Sequence, residues 1–337
     1  MSGLSRREFL KRSLATGIAG GAVLYGGNKT AGASTKSLTG PVGTLIDLTK
    51  CNGCAGEKVA KCVSSCRQTN KDKYPSPVPS EQIPYYWPNK KKEDWQDKKE
   101  VTTRLTPYNW IFVQKVKVEH EGKQVEVAIP RRCMHCDNPP CANLCPFGAQ
   151  AKTAEGVTLI NKDLCLGGAK CRDVCPWGIP ARQAGVGLYM KIAPEYLGAG
   201  VMYKCDLCYD RIKTGGQPAC VEACPNGAIS FGSKAEMKKL AQQRAKEIGG
   251  FIYGDKENGG TSTFYVSQVP FEKIHEKLKE NKSKQPNPTA PGYPLMPVKV
   301  GNFLDTSNGM VLSMLVAPVA GAALAGFTAY KKMKGDE

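Results

Sequence analysis

Histidine is scarce in this sequence, because the chain of 337 residues has 3 histidines against 15 cysteines. Zinc sites usually include histidine as well as cysteine, so zinc modules explain this composition poorly. An odd number of cysteines also cannot all be paired in disulfides. The sequence lacks a Gly-x-Gly-x-x-Gly motif in a strand context, a phosphate-binding loop and a Ser-His-Asp constellation. Each of these would mark a nucleotide site or a catalytic centre, so we predict that the chain has no catalytic residues of its own.

Long apolar runs are rare as well, which excludes a multi-span membrane protein. A single stretch of 25 residues, 306–330, has no charge, and its apolar core from Met310 to Tyr330 could cross a bilayer as a helix. Lysines follow at once in the tail, 331–337, which the positive-inside rule places in the cytoplasm. We predict one transmembrane anchor, preceded by a proline-rich linker or stalk at 282–305. A buried core helix is the alternative.

The N-terminus has the features of an export signal. Arg6 and Arg7 precede a Gly- and Ala-rich stretch from Leu14 to Tyr25, and Ala31-Gly32-Ala33 forms a cleavage pattern before Ser34. This combination predicts a twin-arginine signal over residues 1–33. That route exports folded proteins, which suits a protein whose cofactor is inserted in the cytoplasm. Together with the anchor, the signal predicts a location on the periplasmic face of the bacterial inner membrane.

The cysteines fall into four groups, and three of the groups end in Cys-Pro, at Pro146, Pro176 and Pro225. Such endings are typical of bacterial ferredoxin ligand runs. A disulfide framework in an exported structural protein is the alternative, but the Cys-x2-Cys pairs and the Cys-Pro endings favour iron-sulfur clusters. The groups are Cys51, Cys54, Cys62 and Cys66; Cys133, Cys136, Cys141 and Cys145; Cys165, Cys171 and Cys175; and Cys205, Cys208, Cys220 and Cys224.

In ferredoxin runs the first three cysteines hold one cluster and the fourth reaches a second cluster. Only 19 residues separate Cys145 from Cys165, so we pair groups two and three. Groups one and four then form a second unit that brackets the first. The predicted fold is α+β, with two intertwined bacterial-ferredoxin-like units built from short hairpins and helices. They occupy residues 34–281, with an insert at 67–132.

This pairing assigns every cysteine to one of four sites. Site D has Gly168 where a fourth ligand would stand, which predicts one [3Fe–4S] cluster beside three [4Fe–4S] clusters. Alternatively, site D holds a [4Fe–4S] cluster whose fourth iron takes water, Asp163 or Asp173. Site A takes Cys51, Cys54, Cys62 and Cys224; site B takes Cys205, Cys208, Cys220 and Cys66; site C takes Cys133, Cys136, Cys141 and Cys175; and site D takes Cys165, Cys171 and Cys145.

The basic composition does not point to nucleic acid. With 47 Lys and Arg against 30 Asp and Glu, the formal net charge is +17. Nucleic-acid-binding proteins are often this basic, but no helix-turn-helix or RNA-binding signature is present. Four thiolate-ligated clusters, at about −2 each, would offset much of the excess. We therefore predict no nucleic-acid partner.

Several local features are also predicted. A hairpin pairs Ile111–Val118 with 124–129, and a helix with a Ser233/Glu236 capping box runs to about Ile248. Its buried face is predicted to include Met237, Leu240 and Ala241. His135 is predicted near site C, as a hydrogen-bonding neighbour or at the surface, and His120 and His275 are predicted to be solvated. Phe147 and Trp177 are predicted to shield clusters from water.

Longer motifs resemble a known family. The runs Cys133-Met-His-Cys136, Pro139-Pro140-Cys141 and 218–229 are similar to those of the four-cluster ferredoxin subunits of respiratory oxidoreductases. The beta subunits of formate dehydrogenase, nitrate reductase and dimethyl sulfoxide reductase belong to this family. The signal and the anchor together most resemble the ferredoxin-like subunit of membrane-bound nickel-iron hydrogenase.

The resemblance implies electron transfer from the hydrogenase small and large subunits to a multi-span, quinone-reactive membrane subunit. The alternative is the beta subunit of a formate dehydrogenase or another molybdenum enzyme, although those usually travel with a signal-bearing partner. Two features depart from the family pattern. Seven residues separate Cys54 from Cys62 where the family usually has two, and Gly168 replaces an expected cysteine.

Overall fold

A computed structural model describes residues 40–85, 92–192, 194 and 200–312. The predicted signal, the predicted cytoplasmic tail and most of the predicted anchor lie outside these residues. Within them, no helix has both the length and the apolar character needed to cross a bilayer. The described residues all belong to the unit of the chain that begins at Lys36.

Short strands and helices alternate along the chain. The strands are β1 Val42–Asp47, β2 Phe112–His120, β3 Lys123–Arg131, β4 Gln150–Lys152, β5 Thr158–Ile160, β6 Ala181–Gln183, β7 Val201–Tyr203, β8 Ile229–Ser233, β9 Phe251–Tyr253 and β10 Thr263–Ser267. The α-helices are α1 Lys61–Asn70, α2 Pro140–Asn143, α3 Lys170–Asp173, α4 Tyr189–Ile192, α5 Tyr209–Lys213, α6 Ala219–Glu222, α7 Lys234–Glu247 and α8 Phe271–Ser283.

The largest sheet has four strands in the order β8-β1-β10-β9. Its centre is parallel, with Thr44 of β1 opposite Thr263 of β10, and both edge strands run antiparallel to their neighbours. Every residue of β1 is buried, because both faces of the sheet are covered. Leu45 and Phe264 face α7 on one side, while Ile46 and Tyr265 face a core that contains many of the cysteines.

Helix α7 begins where the sequence predicts. The Ser233 side chain accepts from the Glu236 backbone N–H, and the Glu236 carboxylate accepts from the Ser233 N–H, so the capping box is complete. Met237 and Ala241 face the sheet as predicted. The prediction was wrong for Leu240, which is 39% exposed, because the helix turns this position away from the sheet.

The smaller sheets are three hairpins, β2–β3, β4–β5 and β6–β7. The first matches the hairpin predicted within the insert, and its register places Val116 opposite Val127. The other two follow the ligand runs of groups two and three. Helix α2 is followed by strand β4, and helix α3 is followed by strand β6. The hairpins therefore hold the ends of the two ligand loops in place.

The proline-rich segment after α8, predicted as a semi-rigid stalk, packs in part against the body of the protein. Met296 is completely buried. Arg131 donates to the Leu295 carbonyl at 2.7 Å, and the Tyr253 hydroxyl donates to the Pro297 carbonyl at 2.9 Å. Prolines stiffen an extended chain but have no backbone N–H to donate. The carbonyl groups of this segment still need hydrogen-bond donors, and side chains elsewhere in the protein supply them.

Candidate iron-sulfur sites

The cysteines predicted for site A line a common cavity. Cys51, Cys54, Cys62 and Cys224 all lie in the lining of this cavity. Burial raises the pKa of the Cys62 thiol, and nearby cysteines of the first and fourth groups raise it further. The structure thus brings together one thiol from the fourth group and three from the first, as the ferredoxin rule requires.

Site B is the reciprocal arrangement. Cys66, Cys205, Cys208 and Cys220 line a second cavity. Burial raises the pKa of the Cys66 thiol well above its usual value, and Cys205 and Cys220 raise it further. Here the first group contributes one thiol and the fourth group contributes three.

The cysteines predicted for site C also lie near one another. Burial raises the pKa of the Cys136 thiol, and the neighbouring Cys175 and Cys133 add to the increase. Burial also raises the pKa of Cys141 well above its usual value, and Cys175, Cys133 and Cys136 contribute against the opposing charge of Lys204. Cys175 therefore lies with the first three cysteines of group two.

Site D joins the remaining three cysteines. Burial raises the pKa of Cys171 to about 12, with Cys165 and Cys145 acting in the same direction. Burial also raises the pKa of the Cys165 thiol, although hydrogen bonds from the Met202 and Gly167 N–H groups oppose this increase.

Within the described ranges no three Cys, His, Asp or Glu side chains are placed to hold a single metal ion.

Single helical turns link the sites within each pair. Cys62 and Cys66 lie four residues apart on α1, so they sit on one helix face about 6 Å apart along the axis. One faces the site A cavity and the other the site B cavity. In the other three runs the first cysteine of the Cys-x3-Cys pair lies on a short helix, α6, α2 or α3, and the second follows two residues after the helix ends.

Backbone donors point at several of the sulfurs. The N–H groups of Ala228 and Leu207 donate to Cys224 Sγ at 3.2 Å and to Cys205 Sγ at 3.3 Å. The Met202 N–H donates to Cys165 Sγ at 3.4 Å. Such bonds stabilise the thiolate and are one of the factors that set cluster potentials.

The donor sets fit iron-sulfur clusters. Thiols bind metal as thiolates, but burial and mutual repulsion here hold their pKa values high. A positively charged iron core would replace the protons and remove that repulsion. Groups of three or four sulfur ligands are what such clusters require. When bound, a cluster would accept and release one electron at a time.

Position 168 leaves open space at site D. A Cβ built on Gly168 meets no heavy atom within 4 Å, whereas one on Gly167 would lie 2.4 Å from the Gly200 carbonyl oxygen. Asp163 and Asp173, the carboxylates considered as fourth ligands, are both exposed. The loop therefore has room for a side chain at the position where the ligand pattern is incomplete.

The insert packs against the loop of site D, which sequence reasoning missed. Glu93 accepts two hydrogen bonds from Arg172, at 2.7 and 2.8 Å, and one from Arg182 at 2.6 Å. Arg182 in turn donates to the Gly167 carbonyl at 3.0 Å. Burial raises the pKa of Glu93, but the hydrogen bonds and charges of the two arginines outweigh it, so the pKa lies below its usual value. No local pattern in the sequence marks this contact.

The aromatic and histidine predictions have mixed outcomes. Trp177 is buried and donates from Nε1 to the Tyr253 hydroxyl at 2.6 Å, while Phe147 is half-buried. His135 is buried rather than at the surface, and its Nδ1 accepts from the Thr158 N–H at 3.1 Å. Burial lowers the pKa of His135 well below its usual value, so the ring is neutral. His275 is not fully solvated, because its Nδ1 is buried without a partner in the described residues.

Comparison with known proteins agrees with these sites. Residues 50–149 and residues 125–234 each match a family of 4Fe-4S dicluster domains. The two matches together cover all four cysteine groups. The core is therefore made of ferredoxin-like dicluster domains of mixed helix and strand content.

Full-length relatives extend the comparison. A protein of Nitratidesulfovibrio vulgaris is 29% identical over 303 residues, which cover 88% of this chain and 74% of that protein. Hydrogenase-2 operon protein HybA of Escherichia coli O157:H7 is 28% identical over 307 residues, 80% of this chain and 83% of that protein. The formate dehydrogenase-O iron-sulfur subunit of Escherichia coli K12 is 32% identical over 232 residues, 67% of this chain and 66% of that protein. The chain belongs to the family of iron-sulfur subunits of respiratory oxidoreductases.

Proposed function

We propose that this protein carries electrons through four iron-sulfur clusters, between the small subunit of a nickel-iron hydrogenase and a quinone-reactive integral membrane subunit. The observation that carries the proposal is the arrangement of the 15 cysteines. Those of sites A and B line two cavities, and those of sites C and D lie in two further sets that perturb one another's pKa. A disulfide framework would bring sulfurs together in pairs instead.

The ligand assignment follows those sets. Sites A, B and C each supply four thiolates for a [4Fe–4S] cluster, and site D supplies three for a [3Fe–4S] cluster. Gly168 has no side chain that could supply a fourth ligand, which supports the three-ligand assignment. Iron content should then be about 15 atoms per chain.

The geometry supports a linear order of sites, A–B–C–D. One turn of α1 separates Cys62 of site A from Cys66 of site B. Across the middle, the pKa of Cys205 in site B is raised by burial to about 12, with Cys133 of site C acting in the same direction. At the far end, Cys175 of site C contributes to the raised pKa of Cys171 in site D. Short steps between neighbours suit one-electron transfer along the chain.

The protein's own residues position the clusters and exclude water from them. Most of the cysteines are buried, and Trp177 and Ile229 pack in the core that encloses them. Backbone N–H groups donate to the sulfurs, and the insert holds the site D loop through Glu93. No proton transfer is required of any residue.

Export and anchoring form part of the same proposal. The twin-arginine signal at 1–33 would deliver the folded protein to the periplasmic face of the inner membrane. The helix at 306–330 would then anchor it beside its membrane partner, with residues 331–337 in the cytoplasm. The similarity to HybA, a hydrogenase-2 operon protein, supports a hydrogenase as the electron donor.

A formate dehydrogenase is the second candidate donor, favoured by the 32% identity to a formate dehydrogenase iron-sulfur subunit. The test is to tag the chain, purify its complex anaerobically in detergent, and measure iron, nickel, molybdenum and tungsten together. Iron with nickel supports the hydrogenase. Iron with molybdenum or tungsten moves the protein to a formate-type enzyme, and a preparation without iron refutes electron transfer by clusters.

A further inference from the structure

Two cations are buried at the junction of sites B and C. Arg132 precedes Cys133 of site C, and Lys204 precedes Cys205 of site B. Arg132 is 1% exposed and Lys204 is 6% exposed. Both side chains therefore lie inside the protein between the two halves of the proposed electron path.

Neither cation forms a salt bridge within the described residues. Arg132 donates to the Cys133 carbonyl at 3.1 Å and to the Thr263 hydroxyl at 3.4 Å, and it also donates to the Thr44 hydroxyl. Lys204 donates to the Cys205 carbonyl at 3.2 Å and to the Thr158 carbonyl. All these acceptors are neutral oxygens, and Arg132 Nε has no hydrogen-bond partner in this part of the chain.

An ionised side chain in a protein interior is costly unless a nearby negative charge compensates it. Arg132 lines the site B cavity together with Cys66, Cys205, Cys208 and Cys220. Arginine keeps its proton in proteins, and the Lys204 ammonium group donates to two carbonyl oxygens, so both side chains are assigned as cations. The sulfur sites are thus a source of compensating charge.

Site D contrasts with this arrangement. Its nearby cations, Arg172 and Arg182, share the carboxylate of Glu93. The negative charge of Glu93 therefore partly offsets the electrostatic effect of the two arginines on the site D sulfurs. At the junction of sites B and C, Asp206 acts on Lys204 but also pairs with Lys73 at 2.6 Å, and no carboxylate forms a salt bridge with either buried cation in the described structure.

Building on the proposed function, we infer that Arg132 and Lys204 act as a buried counter-charge that raises the midpoint potentials of the clusters at sites B and C. Reduction adds one electron, and so one negative charge, to a cluster. A nearby fixed positive charge stabilises the reduced form, since net charge and burial are among the factors that set these potentials. No bond or proton is exchanged in the step, and in a titration the electron comes from a dithionite-reduced mediator.

The experiment is an anaerobic redox titration of the full-length protein in detergent, followed by electron paramagnetic resonance. Lys204→Gln and Arg132→Gln remove the charge while keeping a hydrogen-bonding side chain. Lys204→Arg and Arg132→Lys keep the charge. Arg244→Gln is the matched control, because Arg244 pairs with Asp47 and lies on α7, across the sheet from the cysteine-rich core.

We expect each Gln variant to lower two of the four midpoint potentials and leave the other two unchanged. The charge-keeping variants and Arg244→Gln should retain all four wild-type values. Unchanged potentials in both Gln variants, or an equal shift of all four, would overturn the inference while leaving the clusters in place.

Loss of iron in the Gln variants is also informative. If Lys204→Arg and Arg132→Lys restore the iron content, positive charge is what the sites require. If these variants also lose iron, the sites depend on side-chain shape and the inference is wrong. Absence of clusters from the wild-type protein would instead refute the proposed function, so the two failures can be told apart.

Discussion

Substituting Gly168 by cysteine tests whether site D lacks a ligand. The structure has space for the new side chain, because no heavy atom lies within 4 Å of a Cβ at this position. The backbone φ of Gly168 is also outside the left-handed range that favours glycine. Replacing a glycine under these conditions stabilises a protein by about 0.4–1 kcal/mol, because the unfolded chain loses entropy. The variant should therefore fold.

With a fourth thiolate at site D, the [3Fe–4S] cluster should become a [4Fe–4S] cluster. Iron should rise from about 15 to about 16 atoms per chain, and the electron paramagnetic resonance signal of an oxidised three-iron cluster should disappear. Gly168→Ala is the matched control, because it adds the Cβ without the sulfur. It should keep about 15 iron atoms and the three-iron signal.

Gly167 provides the contrast. Its φ is +69°, and a Cβ there would lie 2.4 Å from the Gly200 carbonyl oxygen. Gly167→Ala should therefore destabilise the protein by more than about 1 kcal/mol and reduce the iron at site D. An unchanged three-iron signal and iron content in a folded Gly168→Cys variant would refute our assignment of position 168 as the missing ligand.

Substitutions at three further positions separate stability from cluster chemistry. Glu93→Gln should lower the free energy of unfolding by about 2–3 kcal/mol in urea titrations, because Arg182 loses a charged partner. Among the cluster signals, only that of site D should change. Unchanged stability and an unchanged site D signal would argue against the docking of the insert. Met237→Ala should cost about 2–4 kcal/mol by opening a cavity against Leu45, yet leave the visible spectrum unchanged, since α7 lies on the sheet face away from the cysteines. Ser233→Ala should cost about 1 kcal/mol through loss of the capping box, while Ser233→Asp, which can still accept from N3, should retain most of the stability.

The grouping of the cysteines could be predicted because the information is local. A Cys-x3-Cys spacing places two thiols on consecutive turns of one helix, as Cys62 and Cys66 show on α1. A helix of that kind lies between two sites, so it must serve both. The rule that the last cysteine reaches the second cluster follows from this geometry, and it pairs groups that are far apart in sequence, such as Cys66 with Cys205.

The contacts of the insert could not be predicted in the same way. Glu93 reaches Arg182 across 89 residues of sequence, and neither residue lies in a recognisable motif. The proline-rich segment presents a similar difficulty. Its composition is typical of an exposed spacer, but burial of Met296 and the carbonyl contacts of Leu295 and Pro297 depend on donors elsewhere in the chain. Composition describes the segment alone and carries no information about those donors.

The buried cations show why a ligand pattern describes only part of such a site. The sequence places Arg132 and Lys204 beside cysteines, where a solvated or a buried side chain is equally compatible with the motif. Their burial follows from the hairpin β2–β3, which ends at Arg131, and from β7, which ends at Tyr203. Each cation is the first residue after its strand, so its side chain is already buried in the core where the ligand loop begins. The fold thus fixes positive charge at the same junction to which it delivers Cys133 and Cys205.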